Sequence, residues 1–231
     1  MTLQAYQLAC TRGERELFHN INFAINAGDA MRVVGANGSG KTSLLRVLCG
    51  LSSPTEGVVR WNGQSISKIR EEFARQLIYL GHANGVKDDL LAWENVLISA
   101  VISGQTISRD DAYAALDSLG LNEAADLPTR ALSQGQRKRV ALARLQFGVN
   151  APLWILDEPF TALDQNTVMH LCETLNQHLQ RGGMLIYTTH QEIALRTQQL
   201  LTLDLSQNSS SSQSLDESLA INLVRDQSAV C

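Results

Sequence analysis

The sequence predicts an α/β domain built on a mostly parallel sheet that is covered on both faces. Three observations carry this. Apolar runs such as "AMRVVG", "LWILD" and "GGMLIYTTH" are separated by stretches of helical spacing, as buried parallel strands joined through helices require. The first of these runs leads into a glycine-rich loop that opens a helix. The 231 residues are enough to bury a full core without disulfides or a structural metal.

The elements follow in order. "LQAYQLA" and "INFAI" alternate as half-buried strands do and predict an N-terminal β part. "AMRVVG" is a buried strand ending at Gly35. "KTSLLRVLCGL" has helical spacing and is stopped by Gly50 and Pro54. "GVVRWNGQSI" reads as a strand with a turn at Asn62-Gly63, and "LIYLG" as another strand. From Ala92 to about Leu127 the pattern is helical, predicting a helical lobe over residues 85–150 inserted in a domain that spans residues 1–204. "LWILD" and "GGMLIYTTH" supply two more strands. "LSQNSSSSQSLDES" is Ser-rich, so residues 205–231 read as a flexible tail.

Composition excludes several classes. Hydrophobic residues make up 44% and charged residues 18%, an ordinary globular profile. A formal net charge of −4 leaves no basic footprint for nucleic acid. Cys10, Cys49, Cys172 and Cys231 form no CxxC pair and no zinc spacing, so reduced thiols are expected. The N-terminal stretch has no apolar signal core, and no run reaches the roughly 18 apolar residues of a membrane span.

The chemistry begins at "GANGSGKT", a full G-x-x-x-x-G-K-[ST] match between strand and helix. Gly35 and Gly40 frame it; Ala36, Asn37, Gly38 and Ser39 fill the loop, and Ser43 follows it. Such a loop turns backbone N–H groups toward a phosphate at the positive end of a helix. Lys41 would place a charge on the β and γ phosphates, and Thr42 would hold Mg²⁺ through its hydroxyl. In "LWILDEP" four apolar residues put Asp157 at the C-terminal end of a buried strand, where open α/β sheets bind ligands. Asp157 would hold Mg²⁺ through water, and Glu158 would polarise the attacking water. His190, at the end of "YTTH", stands where a side chain could reach a γ-phosphate. His19, His170 and His178 have no such setting and read as structural. The "RKR" run at residues 137–139 reads as a solvated helix face with one or two structural pairs.

Taken in order, "GANGSGKT", "LSQGQ", "LWILDEP", "TALD" and His190 resemble the nucleotide-binding subunits of ABC transporters, over about residues 3–204. The resemblance implies a P-loop ATPase with an N-terminal antiparallel β part and a helical signature subdomain. It implies a homodimer packed head to tail, in which Ser133, Gln134, Gly135 and Gln136 cap the partner's ATP while Asp164 crosses the interface. A serine hydroxyl, glycine N–H groups and a helix N-terminus suit a γ-phosphate. A narrower resemblance rests on "LACTRGERELF", "LGHANGVKDDLLAWENV" and "LSQGQRKRVALARL". These stretches are similar to the CcmA group, the ATP-binding subunits of cytochrome c maturation exporters. That group implies peripheral attachment to the cytoplasmic face of the bacterial inner membrane, a separate multispanning CcmB-like subunit, and a role in haem export or release of haem-loaded chaperone. The sequence itself holds no C-x-x-C-H haem attachment site.

Two positions depart from the wider family. Where an aromatic customarily stacks on adenine, this sequence offers Cys10, Thr11 or Arg12, of which Arg12 could stack through its guanidinium. Where a glutamine customarily follows "LIYLG", His82 stands, a feature the narrower group shares. The competing class is a soluble ABC ATPase of DNA repair or translation. One cassette, a short helical insert, no basic stripe and no cysteine cluster argue against it. A small-nucleotide kinase would share the phosphate loop but have no use for "LSQGQ".

Overall fold

The computed structural model describes residues 1–206 and 224–225. Two sheets, the helices that flank them and a helical lobe make up the described residues. The first sheet is antiparallel with strand order β2-β1-β4-β5, from β1 (Thr2–Arg12), β2 (Arg15–Asn26), β4 (Glu56–Trp61) and β5 (Gln64–Ser65). β4 returns to β5 through Asn62 and Gly63, both at positive φ (49° and 82°). That is the Asn-Gly hairpin geometry that matches the twist of flanking strands.

The second sheet holds β3 (Ala30–Val34), β6 (Leu77–Leu80), β7 (Leu153–Leu156), β8 (Met184–Thr188) and β9 (Leu200–Asp204), all parallel, in the order β9-β3-β8-β7-β6. Its strands alternate between two cores, as a period of two demands. Met31, Val33, Leu153, Ile155, Met184, Ile186, Leu201 and Leu203 face the antiparallel sheet and helix α1 (Lys41–Leu48). Ala30, Trp154, Leu156, Leu185 and Tyr187 face helix α6 (Gln165–Gln180) and the helical lobe. All four residues of β7 and all five of β8 are buried. The apolar runs of the sequence therefore mark strands covered twice, and the fold class is as predicted.

The lobe is built from α3 (Ala92–Ile102), α4 (Arg109–Asp117) and α5 (Gln134–Ala143), which pack on one another. α4 starts at Ser108, whose hydroxyl accepts from Asp111 N while Asp111 caps Ser108 N in return. Helix α2 (Arg70–Ala74) and strand β9 carry no signal that the sequence reading marks. β9 closes on β3 with an open-face pattern of buried and half-buried residues. The core runs on to Leu205, which is fully buried and donates its N–H to Val34 O at 3.0 Å. Within the stretch expected as a tail, Val224–Arg225 form a short strand β10, antiparallel to β9. Residues 207–223 and 226–231 of that stretch, Cys231 among them, lie outside the described residues. Cys10, Cys49 and Cys172 are free thiols, and burial raises the pKa of each, which favours the thiol over the thiolate.

Candidate functional site

The phosphate loop links β3 to α1. Gly40 caps α1 in the left-handed region (φ 99°), and a Cβ there would press on Leu17 Cβ at 3.0 Å. Only glycine meets both demands at no cost. The first turn of α1 thus starts inside the loop, with its unsatisfied N–H groups facing the bend. Lys41 Nζ donates to Gly35 O (2.7 Å) and Ala36 O (3.1 Å), bridging the loop from within. Ser39 Oγ is buried without a hydrogen-bond partner. A buried orphan hydroxyl and a lysine held by carbonyls fit a loop made to receive a phosphate.

The carboxylates sit beside it. Asp157 follows β7 and is buried. Its Oδ2 accepts from Thr42 Oγ1 and its Oδ1 from Thr188 Oγ1, each at 2.7 Å. Thr188 Oγ1 in turn accepts from Glu158 N at 2.8 Å. Glu158 adopts positive φ (51°), a strained conformation for a non-glycine residue. Its Oε1 lies 3.2 Å from His190 Nε2, and Thr161 Oγ1 donates to its Oε2 at 3.2 Å. The glutamate side chain is 17% exposed and the histidine 62%, so His190 takes the open side. One connected run therefore joins Thr42, Asp157, Thr188, Glu158 and His190. The Thr42 hydroxyl and the Asp157 carboxylate form an oxygen pair suited to a hard cation. No cluster of three or more His, Cys, Asp or Glu able to hold a metal alone occurs among the described residues, so a cation here would share its coordination with phosphate oxygens and water.

A cleft of about 700 Å³ opens on this run. Lys41, Thr42, Asp157, Glu158 and His190 line it together, and so does His82, exposed just after β6. Of the three residues proposed for the adenine position, Arg12 lines the cleft and Cys10 and Thr11 do not. Arg15, across the β1–β2 turn, joins it. Arg15, Thr161 and Thr188 were missed by sequence reasoning. Thr188 lay within the quoted "YTTH", and its hydroxyl at a strand end was the available signal.

The signature stretch is elsewhere. Ser133, Gln134, Gly135 and Gln136 are not in the lining of the cleft. Ser133 caps α5: its Oγ accepts from Gln136 N at 3.2 Å, and Gln136 Oε1 accepts from Ser133 N at 2.8 Å. A Cβ on Gly135 would lie 2.7 Å from Ala162 O, so the helix start packs on backbone of the "TALD" segment. Asp164 is exposed and caps α6, accepting from Thr167 N at 2.8 Å; that bond lowers its pKa. The chain brings the phosphate loop and the carboxylates together and holds the signature apart from them.

The basic run departs from the solvated face expected of it. Arg137 pairs with Asp88 (3.1 Å) and Arg139 donates to Leu119 O (3.1 Å), but Lys138 is buried. It shares the inward face of α5 with Ala141 and Leu142, three and four residues on. Burial lowers its pKa, opposed by the charges of Asp157 and Glu158. Arg144 is also driven down, to about 10, by burial. Its Nη2 donates to Tyr79 O at 2.8 Å, tying the end of the signature helix to β6. Tyr79 is pushed up to about 12, first by burial and then by Asp157. His178 is structural as expected: it stacks on Trp154 (4.0 Å between centroids), and burial lowers its pKa to about 4.

Residues 18–161 match the family model described as ABC transporter. A protein of Nitrosomonas europaea named "Cytochrome c biogenesis ATP-binding export protein CcmA" is 51% identical over 84% of this chain and 91% of its own length. A Pseudomonas aeruginosa protein of the same name is 46% identical over 87% of this chain and 98% of its own length. A solved dimeric bacterial ABC transporter cassette superposes with a TM-score of 0.76 at 25% identity, covering 88% of this chain and 94% of that one. The chain belongs to the ABC transporter family.

Proposed function

We propose that the chain is the ATP-hydrolysing subunit of an exporter serving cytochrome c biogenesis, driving movement of haem or release of a haem-loaded chaperone. It would work as a homodimer on the cytoplasmic face of the bacterial inner membrane, docked on a separate multispanning CcmB-like subunit. The names borne by its relatives support the pathway. No helix among the described residues is long and apolar enough to cross a membrane, which agrees with a peripheral subunit that borrows its membrane path from a partner.

The connected run from Thr42 to His190 carries the catalytic reading. The loop from Gly35 to Ser43 receives the phosphates of ATP, with Lys41 released from the Gly35 and Ala36 carbonyls to meet them. Mg²⁺, held by the Thr42 hydroxyl and through water by Asp157, would screen the phosphate charge when bound. Thr188 fixes the Asp157 carboxylate and the Glu158 backbone at once, so the glutamate side chain is aimed by a buried hydroxyl. Glu158 takes the proton of the attacking water, and His190 holds the glutamate and the γ-phosphate in line. A positioned general base contributes about 10²–10⁴ in rate. The partner's Ser133 and Gly135 complete the site from across the dimer.

The deciding experiment is isolation of the chain from native membranes with identification of what comes with it. Recovery with a multispanning protein, together with loss of c-type cytochromes when the chain is deleted, is the expected result. Recovery with ribosomes or DNA and no effect on c-type cytochromes would overturn the reading.

A further inference from the structure

A second, smaller pocket, half open to solvent, adjoins the phosphate loop at Gly35 and Lys41. It measures about 280 Å³ and is bounded by Arg32, Gly35, Lys41, Thr189, His190 and Glu192. Lys41 and His190 also line the nucleotide cleft, so these two side chains form a wall common to both spaces. The chamber has room for an oxyanion and several waters, since one water needs only about 10–15 Å³ of such volume.

Its chemistry is cationic and under-used. Arg32 projects from β3, in the middle of the parallel sheet, and is half-buried, so part of its guanidinium is withdrawn from water. Its Nε is buried without a hydrogen-bond partner, and no carboxylate among the described residues forms an ion pair with it. Thr189 is buried, and its Oγ1 accepts from Gln191 N at 3.1 Å. That bond uses a lone pair and leaves the hydroxyl proton free to donate. Lys41 supplies a third donor at the shared wall. Arginine presents a planar fork matched to tetrahedral oxyanions. Glu192 is exposed and stands at the edge of the chamber, where its charge would oppose long retention of an anion.

From this placement we infer that the chamber is a holding site for inorganic phosphate, the second product of hydrolysis. The inference rests on the chain being an ATPase. By the time phosphate moves, the bond from the γ-phosphorus to the bridging oxygen has broken and the water oxygen has joined the phosphorus. The passage past Lys41 and His190 makes and breaks no covalent bond. Arg32 and the Thr189 hydroxyl receive the anion, and ADP remains in the outer cleft. The arrangement separates the two products while the partner subunit still covers the nucleotide.

The test uses the full chain loaded with Mg-ADP and titrated calorimetrically with inorganic phosphate. ADP affinity is measured separately with a fluorescent analogue. Wild type is expected to bind one phosphate per chain with ADP in place. Arg32→Gln should weaken phosphate about 10-fold or more, the effect of removing a charged donor, with ADP affinity unchanged. Arg32→Lys should recover part of the loss, because it restores the charge and not the fork. Thr189→Val, close in shape, should weaken phosphate about 3- to 10-fold, and it decides the matter alone if Arg32→Gln fails to fold. Phosphate binding by Arg32→Gln or Thr189→Val at wild-type affinity overturns the site. So does an ADP-loaded wild type that takes up no phosphate, a result that leaves the nucleotide reading intact. A chain that binds no nucleotide at all would instead sink the ATPase premise and the chamber with it.

Discussion

Two glycine-containing turns open helices in this molecule, and they are built to opposite ends. The phosphate loop leaves groups unsatisfied: Ser39 Oγ has no partner, and Lys41 is held only by loop carbonyls. It faces a cleft with carboxylates already in register. The signature turn satisfies itself, since Ser133 and Gln136 cap each other and Gly135 lies against Ala162 O. It lines no part of that cleft. The first turn is unfinished without a ligand, and the second is finished as structure. A motif can therefore be stable in its own chain and still have its chemical use in another. In an isologous dimer each copy would then lend its finished turn to the other's unfinished one.

The largest expected effects break the first turn. Glu158→Gln should lower ATP turnover by about 10²–10⁴ and keep ATP binding, measured as single-turnover hydrolysis against equilibrium binding. Turnover at the wild-type rate would remove Glu158 as the base. Lys41→Ala should lose most ATP binding, because the loop then has no cation to set against the phosphates.

Mixing sharpens the contrast further. A Lys41→Ala chain has a ruined phosphate loop and an intact signature; a Ser133→Asp chain has the reverse. Neither should hydrolyse ATP alone. Co-assembled at equal amounts, half of the dimers are mixed, and each mixed dimer has one intact composite site of two. The complex should then regain about a quarter of wild-type turnover. No recovery from two variants that fold and assemble would mean that the two turns do not meet across the dimer.

The contrast also explains what was legible in advance. A phosphate loop must be contiguous to wrap its ligand, so its residues are spelled out in one stretch, and Asp157 and Glu158 are marked by the apolar strand ahead of them. The residues that aim these groups are not marked. Thr188 ends a strand of five buried residues, and only the parallel register of β7 and β8 brings it to Asp157. Arg15 reaches the cleft through a hairpin turn within "LACTRGERELF", a stretch that marks the narrower resemblance but assigns no chemical role to Arg15. Lys138 was misread because three consecutive basic residues look solvated, although they fan across about 200° of a helix. Phase with Ala141, Leu142 and Leu145, all buried, was the signal that would have turned it inward. β9 was overlooked because it lies between the last motif and the Ser-rich stretch.

Thr188→Val probes the support beneath the first turn. It keeps the shape and removes the hydroxyl that serves both Asp157 and the Glu158 backbone. Asp157 keeps the Thr42 bond but is left buried with one oxygen unpartnered. The expected cost is about 1–3 kcal/mol in unfolding free energy, read by urea denaturation, with turnover reduced as Glu158 loses its aim. Unchanged stability with unchanged turnover would show that the bridge is incidental.

The smallest effect tests whether the signature serine has two separable uses. In its own chain Ser133 Oγ accepts from Gln136 N, a use of its lone pair. Its proton stays available to a partner's phosphate oxygen. Ser133→Ala removes both, and loss of an N-cap costs about 1 kcal/mol of stability. Ser133→Asp keeps a good cap and favours the helix dipole, but it sets a negative charge against the phosphate. The two variants should therefore diverge. Ser133→Ala should unfold about 1 kcal/mol more easily and still dimerise with Mg-ATP, more weakly, in a Glu158→Gln background. Ser133→Asp should match the parent in urea and fail to dimerise by sedimentation. If Ser133→Asp dimerised as the parent does, the serine would be a cap and nothing more, and the two turns would not be partners.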